Sequence, residues 1–295
     1  MSHPAIAAGR TAVITGGASG IGLATASRLA TADMNVCIAD VDREGLANAT
    51  AALVAASPRG DEAVLAVPTD VSQLAAVEAL RDAALGRFGE VALLMNNAGT
   101  GGGGGPWENY EGWQRVLGVN LWGVIHGVRV FLPGMKARDE GHIVVTASVA
   151  GLTSYPWLGP YNTTKHGAVT ICETLFSELR EAGSNVKVSC LCPGAVATSI
   201  GTSERNRPKE LANAPTSHAA PGEEEISQGD FGDFSKVARP PAEVAELVLA
   251  AVLEERFWIE TDAFYREPIK ARHRAIENLE DPPARGLILA PYVDS

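Results

Sequence analysis

Cysteine is scarce in this chain of 295 residues, with Cys37, Cys172, Cys190 and Cys192 making up the whole complement. Four scattered thiols cannot build a small disulfide-stapled fold. Cys190 and Cys192 are two apart in a strand-like run, so they share one face and read as small core hydrophobes in a reducing compartment. Positive charge is also short: 24 Lys and Arg against 35 Asp and Glu leave a net charge of −11. That balance lacks the basic footprint a polyphosphate backbone requires, so no nucleic acid is expected as a partner. Long apolar runs are missing too. The longest uncharged stretch, 142–164, would reach across a bilayer, but Gly151, Pro156, Gly159 and Pro160 break it. The first ten residues hold one arginine and no stretch fit for a signal peptide, so a cytoplasmic protein with no membrane partner is expected. The six histidines (His3, His126, His142, His166, His218, His273) show no metal-ligand spacing, and no metal is expected.

What the chain has is a 46% apolar content and 31 glycines that cluster rather than spread, which excludes collagen and disorder. Short β-branched runs at 11–15, 35–40, 63–68, 91–96, 142–147, 186–192 and 257–260 alternate with helical periodicity. The helical stretches are 21–31, 44–56, 74–88, 110–137, 161–182 and 242–254, with an extra one at 267–279. The alternation predicts an α/β fold, a doubly wound sheet of about seven parallel strands with helices on both faces. No linker divides the chain, so a single domain over 1–295 is expected. Two segments break the pattern. Gly101 to Gly105 read as a mobile loop, and 202–237, rich in Pro, Ser, Glu and Gly, reads as a lid beginning near residue 200. A C-terminal extension of about 263–295 follows, with Pro282-Pro283 and an apolar end at 286–293.

The first strand runs into Thr15-Gly16-Gly17-Ala18-Ser19-Gly20-Ile21-Gly22, where a helix begins. Glycines at 16, 20 and 22 permit a tight turn, and a helix N-terminus offers free N–H groups and a positive dipole end to a pyrophosphate. Alone, such a turn is equally an ordinary strand-to-helix connection. The second strand ends in Asp40, 18 residues after Gly22, where a carboxylate would accept bonds from a ribose and repel a 2′-phosphate. NAD is therefore favoured over NADP, although Arg43 lies three residues on and Asp40 could also be a turn-former. Asp70 and Val71 follow the third strand, and Asn97, Ala98 and Gly99 follow the fourth, all at the carboxyl edge of the sheet. Asp70 serves equally well as a helix cap.

Tyr161 and Lys165 are four apart at the start of a helical pattern and share a face. An ammonium near a phenol lowers the phenol's pKa and makes it usable as an acid/base. Ser148 follows the fifth strand, 13 residues upstream of Tyr161. Taken singly, a Tyr–Lys pair is common on solvated helix faces. Taken together, the Gly16–Gly22 turn, Asn96-Asn97-Ala98-Gly99, Asn120, Ser148, Tyr161-x-x-x-Lys165 and Pro193-Gly194, in this order, resemble the short-chain dehydrogenase/reductase family.

The resemblance covers about residues 8 to 200 well and implies a single Rossmann-type domain that binds a dinucleotide. It implies that Tyr161 exchanges a proton with the substrate oxygen and that Ser148 holds that oxygen. Lys165 would bond the nicotinamide ribose and Asn120 would hold a water in a proton relay. By the same resemblance Gly16, Ser19, Gly20, Ile21 and Gly22 hold the pyrophosphate. Asn97, Ala98 and Gly99 lie along the adenine-side ribose, Asp70 and Val71 lie near the adenine, and Pro193, Gly194, Val196 and Thr198 fix the carboxamide.

Specificity must come from loops. Ala150, Leu152, Tyr155, Pro156, Trp157, Trp107, Ile200, Phe231 and Phe234 are mostly apolar or aromatic and include no cationic clamp. A neutral, fairly hydrophobic secondary alcohol and its ketone are expected, with Ser148, Ala150, Trp157 and Tyr161 as substrate contacts. The family implies a homodimer or homotetramer. The rival readings are an NADP-dependent carbonyl reductase and, from another class, a non-catalytic dinucleotide-sensing protein.

Overall fold

The computed structural model describes residues 4–101, 107, 110–206 and 238–283. Seven strands form one parallel sheet in the order β3-β2-β1-β4-β5-β6-β7. They are β1 (Thr11–Thr15), β2 (Asn35–Asp40), β3 (Val64–Pro68), β4 (Leu93–Asn96), β5 (His142–Thr146), β6 (Lys187–Cys192) and β7 (Trp258–Glu260). The helices between them are α1 (Gly20–Thr31), α2 (Arg43–Ala56), α3 (Leu74–Phe88), α4 (Tyr110–Leu117), α5 (Gly123–Arg138), α6 (Gly159–Glu181), α7 (Pro241–Leu253) and α8 (Arg266–Asn278). The expected α/β class and strand count are thus found, with most boundaries within two residues.

Every residue of β1 is buried, as a central strand covered on both faces requires. Its side chains alternate between two cores. Val13 packs with Leu94, Ile143 and Val145 on the face covered by α3, α5 and α6. Ile14 packs with Ile38, Leu29 and Val248 on the face covered by α1, α2 and α7. Each fully buried aliphatic side chain of this kind contributes about 1.5–3 kcal/mol relative to exposure. All four cysteines are free and buried, Cys190 and Cys192 in the core as expected, and burial pushes the Cys37 thiol up to about 12.

Chain order reverses across β1 and β4, and the crevice beyond their carboxyl ends is where ligands of open α/β sheets bind. Thr15 stitches the two strands at that point. Its hydroxyl oxygen accepts from the backbone N–H groups of Asn97 (3.0 Å) and Ala98 (3.1 Å).

The single helix expected over 110–137 is divided. Between α4 and α5 lies a π turn, Gly118–Trp122, with Asn120 buried inside it. One extra residue widens the helix there, a feature that often marks a functional position. Among the described residues, only the span Tyr110–Arg138 is long and apolar enough to cross a bilayer, and in this fold it covers the sheet beside α3 and α6. The extra helix expected at 267–279 is α8, which buries only Ala275. Of the expected lid, a 3₁₀ segment at Ser199–Asn206 is described. The glycines 102–105 of the expected loop, most of the lid with Phe231 and Phe234, and the apolar end at 286–293 lie outside the described residues.

Candidate active site

At the crevice, β1 turns into α1 through a backbone that only glycine tolerates. Gly16 has φ 65°, and a Cβ on Gly22 would stand 2.2 Å from the Gly16 carbonyl oxygen. The N-cap of α1 is Ser19, whose side chain makes no capping bond. The first N–H groups of α1 therefore keep their hydrogen-bonding capacity and the positive end of the helix dipole, which is what a pyrophosphate needs. A cleft of about 520 Å³ opens there. Gly16, Ser19, Gly20 and Ile21 line one end; Gly22 closes the turn behind them.

Asp40 lines the same end, its carboxylate held by the N–H groups of Ala18 (3.2 Å) and Asp42 (3.1 Å). Those two bonds fix its direction and leave lone pairs for further donors. Arg43 is exposed and does not line the cleft. Asp70 and Val71 line it too. Asp70 accepts from Ser72 N at 2.9 Å in a local turn, whereas the N-cap of α3 is Gln73, so Asp70 is not the helix cap. Asn97, Ala98 and Gly99 form the middle of the cleft.

Ser148, Tyr161 and Lys165 meet at the other end. Ser148 starts a 3₁₀ turn, where its oxygen accepts from Ala150 N at 3.1 Å and its hydroxyl donates weakly to Pro193 O at 3.5 Å. Lys165 is buried and donates to Thr146 O at 2.9 Å, with its Nζ 5.6 Å from the centroid of the Tyr161 ring. A methyl placed on Gly99 would lie 3.6 Å from Asn120 Oδ1 and 3.8 Å from Lys165 Nζ, so these groups converge across the cleft.

Their electrostatics differ from the sequence expectation. Burial of the hydroxyl pushes Tyr161 above its ordinary value, and the neighbouring Ser148 hydroxyl only partly opposes this. Lys165 is itself pulled down to about 8 because its ammonium is desolvated. The lysine thus carries a charge that is costly to hold, and the phenol stays protonated at neutral pH.

Asn120 lies just behind this end. Its Oδ1 accepts from Thr100 N (2.8 Å) and its Nδ2 donates to Thr100 O (2.9 Å) and, more weakly, to Thr164 Oγ1 (3.5 Å). The side chain is thereby committed to positioning Thr100.

Pro193, Gly194, Val196 and Thr198 complete the wall. The glycine at 194 has a reason the sequence did not reveal: a Cβ there would stand 2.5 Å from Cε2 of Tyr265. Close packing within the protein is by itself enough to demand a glycine there.

Two expected substrate contacts are misplaced. Ala150 is fully buried, spending its N–H on Ser148 and its methyl in a small core with Val149, Tyr155, Leu158 and Tyr265. Trp157 lines a separate groove of about 400 Å³ with Trp107, Trp113, Tyr155 and Pro156. Its backbone takes a left-handed φ of 64°, which turns the chain away from the cleft. The lining of the cleft includes instead Gln114, Arg115, Val119, Ile200, Ser203 and Asn206. Of these only Ile200 was expected, because α4 and the 3₁₀ segment carry no spacing signal.

Residues 10–209 match the family model described as short chain dehydrogenase. The chain is similar over 96% of its length to a solved short chain dehydrogenase/reductase from Burkholderia phymatum in complex with NAD, covering 99% of that chain at 42% identity and a TM-score of 0.86. It is 38% identical over 193 residues to the 1-deoxy-11-beta-hydroxypentalenate dehydrogenase of Streptomyces exfoliatus, spanning 64% of this chain and 68% of that one. It is 36% identical over 191 residues to the levodione reductase of Leifsonia aquatica, spanning 64% of this chain and 70% of that one.

Proposed function

The chain belongs to the short-chain dehydrogenase/reductase family of oxidoreductases, and we propose that it is an NAD-dependent enzyme interconverting a neutral secondary alcohol and its ketone. The observation that carries this is the convergence of Ser148, Tyr161 and Lys165 at one end of a cleft whose other end is an uncapped helix start beside Asp40.

The residues of the cleft fit the dinucleotide. The α1 N-terminus and Ser19 would receive the pyrophosphate, and Asp40 would accept from the adenosine ribose. Asp40 disfavours a 2′-phosphate, and among the described residues no arginine lies beside it in the cleft to reverse that preference. The Burkholderia protein that holds NAD supports the same choice. NAD bound there supplies the two-electron acceptor or, reduced, the donor.

The protein's own part is proton handling and orientation. Ser148 donates to the substrate oxygen and holds it against Tyr161. A protonated Tyr161 suits the reductive direction, where it gives its proton to the forming alkoxide. In the oxidative direction it takes the proton of the substrate hydroxyl, a step that its raised pKa makes more favourable as a base and rarer at neutral pH. Lys165, when charged, stabilises the phenolate that reduction leaves and that oxidation requires.

The dehydrogenase and reductase relatives support a hydroxyl or ketone substrate. Neutrality is favoured because both cations that line the cleft among the described residues are already engaged, Arg115 donating to Ser203 O at 2.7 Å and Lys165 to Thr146 O at 2.9 Å. An assay of NAD and NADP reduction over matched neutral and anionic secondary alcohols tests the proposal. NAD with neutral alcohols should give the highest kcat/KM; a clear preference for NADP, or for anionic alcohols, would refute the corresponding part.

A further inference from the structure

The stretch from Pro193 to Asn206 forms one wall of the cleft, and its two ends are attached in different ways. The near end is rooted by the main chain. Gly194 N donates to Thr261 Oγ1 at 2.9 Å, Ala197 N donates to Arg239 O at 3.0 Å, and Arg239 N donates to Ala195 O at 3.0 Å. Tyr265 packs against Gly194 from behind. Opening this root would mean unpairing backbone and breaking a packed aromatic contact.

At the far end, Ser203 gathers three hydrogen bonds on one residue. Its carbonyl accepts from Arg115 Nη2 at 2.7 Å, and its hydroxyl oxygen accepts from Gly101 N at 3.0 Å and Thr100 Oγ1 at 3.1 Å. Arg115 is only 5% exposed, although a guanidinium is rarely buried without a specific task. Thr100 is in turn the residue that Asn120 brackets, and Thr164, within reach of Asn120, donates to Tyr161 O at 2.8 Å. A hydrogen-bonded chain therefore runs from the 3₁₀ segment to the first turn of α6.

We propose that Arg115 and Ser203 are positioning residues forming a latch, which holds this wall closed over the reacting end of the cleft and sets how fast a bound dinucleotide leaves. The root acts as the hinge. Release of Ser203 frees the wall between Ile200 and Asn206 without disturbing Pro193 or Gly194. The latch rests on the cofactor reading above, and its test must separate the two.

Stopped-flow measurement of NADH release from the full-length protein does so. Removal of a hydroxyl that accepts two bonds should speed release by about tenfold in Ser203→Ala, with association unchanged within twofold. Arg115→Met should do the same through the Ser203 carbonyl. The double variant should release NADH no more than about twofold faster than the faster single one, because both act through one residue. Ser203→Thr, which keeps the hydroxyl, should stay within threefold of the parent, roughly half the expected loss in logarithmic terms. Unchanged release in Ser203→Ala and Arg115→Met, from a parent that binds NADH, would overturn the latch alone. A parent that binds no NADH would overturn the cofactor reading and the latch with it.

Discussion

The two ends of the cleft are made of different material. The nucleotide end is mostly main chain: the Gly16 to Gly22 turn, the unclaimed N–H groups of α1, and one carboxylate, Asp40, held by two backbone donors. The reacting end is side chains held by main chain, with Lys165 on Thr146 O, Asn120 on Thr100 and Ser148 on Ala150 N. A neighbour on the same sheet edge sharpens the contrast. Helix α2 begins with Asp42, whose carboxylate accepts from Gly45 N at 2.9 Å, so its start is already satisfied. An end built from backbone should fail when the backbone is displaced and tolerate much else. An end built from side chains should lose chemistry one residue at a time while binding persists.

The largest test falls on the reacting end. Tyr161→Phe should lower turnover by about 10² to 10⁴, the usual worth of a positioned acid/base, with NADH affinity unchanged within threefold by fluorescence titration. A parallel loss of affinity would blur the distinction between the ends. The converse change is Gly22→Ala, which forces a Cβ to within 2.2 Å of Gly16 O and must shift the turn. NADH affinity should fall by about 100-fold, a cost of roughly 3 kcal/mol, while turnover at saturating cofactor changes much less.

Lys165 gives a third and smaller test. Its pKa of about 8 lies below its ordinary 10.5, so at pH 7 the folded protein holds an ammonium that the unfolded chain would hold more comfortably. Lys165→Met should therefore stabilise the fold at pH 7 by about 1–3 kcal/mol in denaturant titrations. That advantage should shrink as pH rises from about 8 towards 10.5, where the folded parent has shed its proton and the unfolded chain still carries one. A Met variant less stable than the parent at pH 7 would show that the Thr146 bond outweighs desolvation. The smallest effect is expected from Asp42→Ala, which should cost about 1 kcal/mol of stability by removing a cap and leave NADH binding unaltered.

Much of this was legible because it is periodic or local. The alternation of β-branched runs with helical stretches located all seven strands, since a buried parallel sheet imposes both the residue types and the spacing. The turn at Gly16 to Gly22 and the Tyr161–Lys165 pair are likewise local patterns. The π turn around Asn120 was not legible, because a widened turn keeps an apolar helical pattern on either side. Ala150 and Trp157 were misplaced for a related reason. They follow Ser148 closely in sequence, but a buried 3₁₀ turn and a left-handed residue carry them off the cleft. Arg115 and Ser203 gave no signal, being 88 residues apart and joined by a backbone carbonyl.

The contact between Gly194 and Tyr265 has a consequence for how the protein is made. Thr261 and Tyr265 brace the cleft wall from beyond the last strand, long after the glycine turn and the Tyr161 helix in chain order. A growing chain emerging at about 5–20 residues per second therefore has its nucleotide end many residues before that wall can be seated. Ribosome-bound intermediates arrested short of residue 261 should carry a half-built pocket, open on the side that Pro193 to Thr198 wall off in the finished protein.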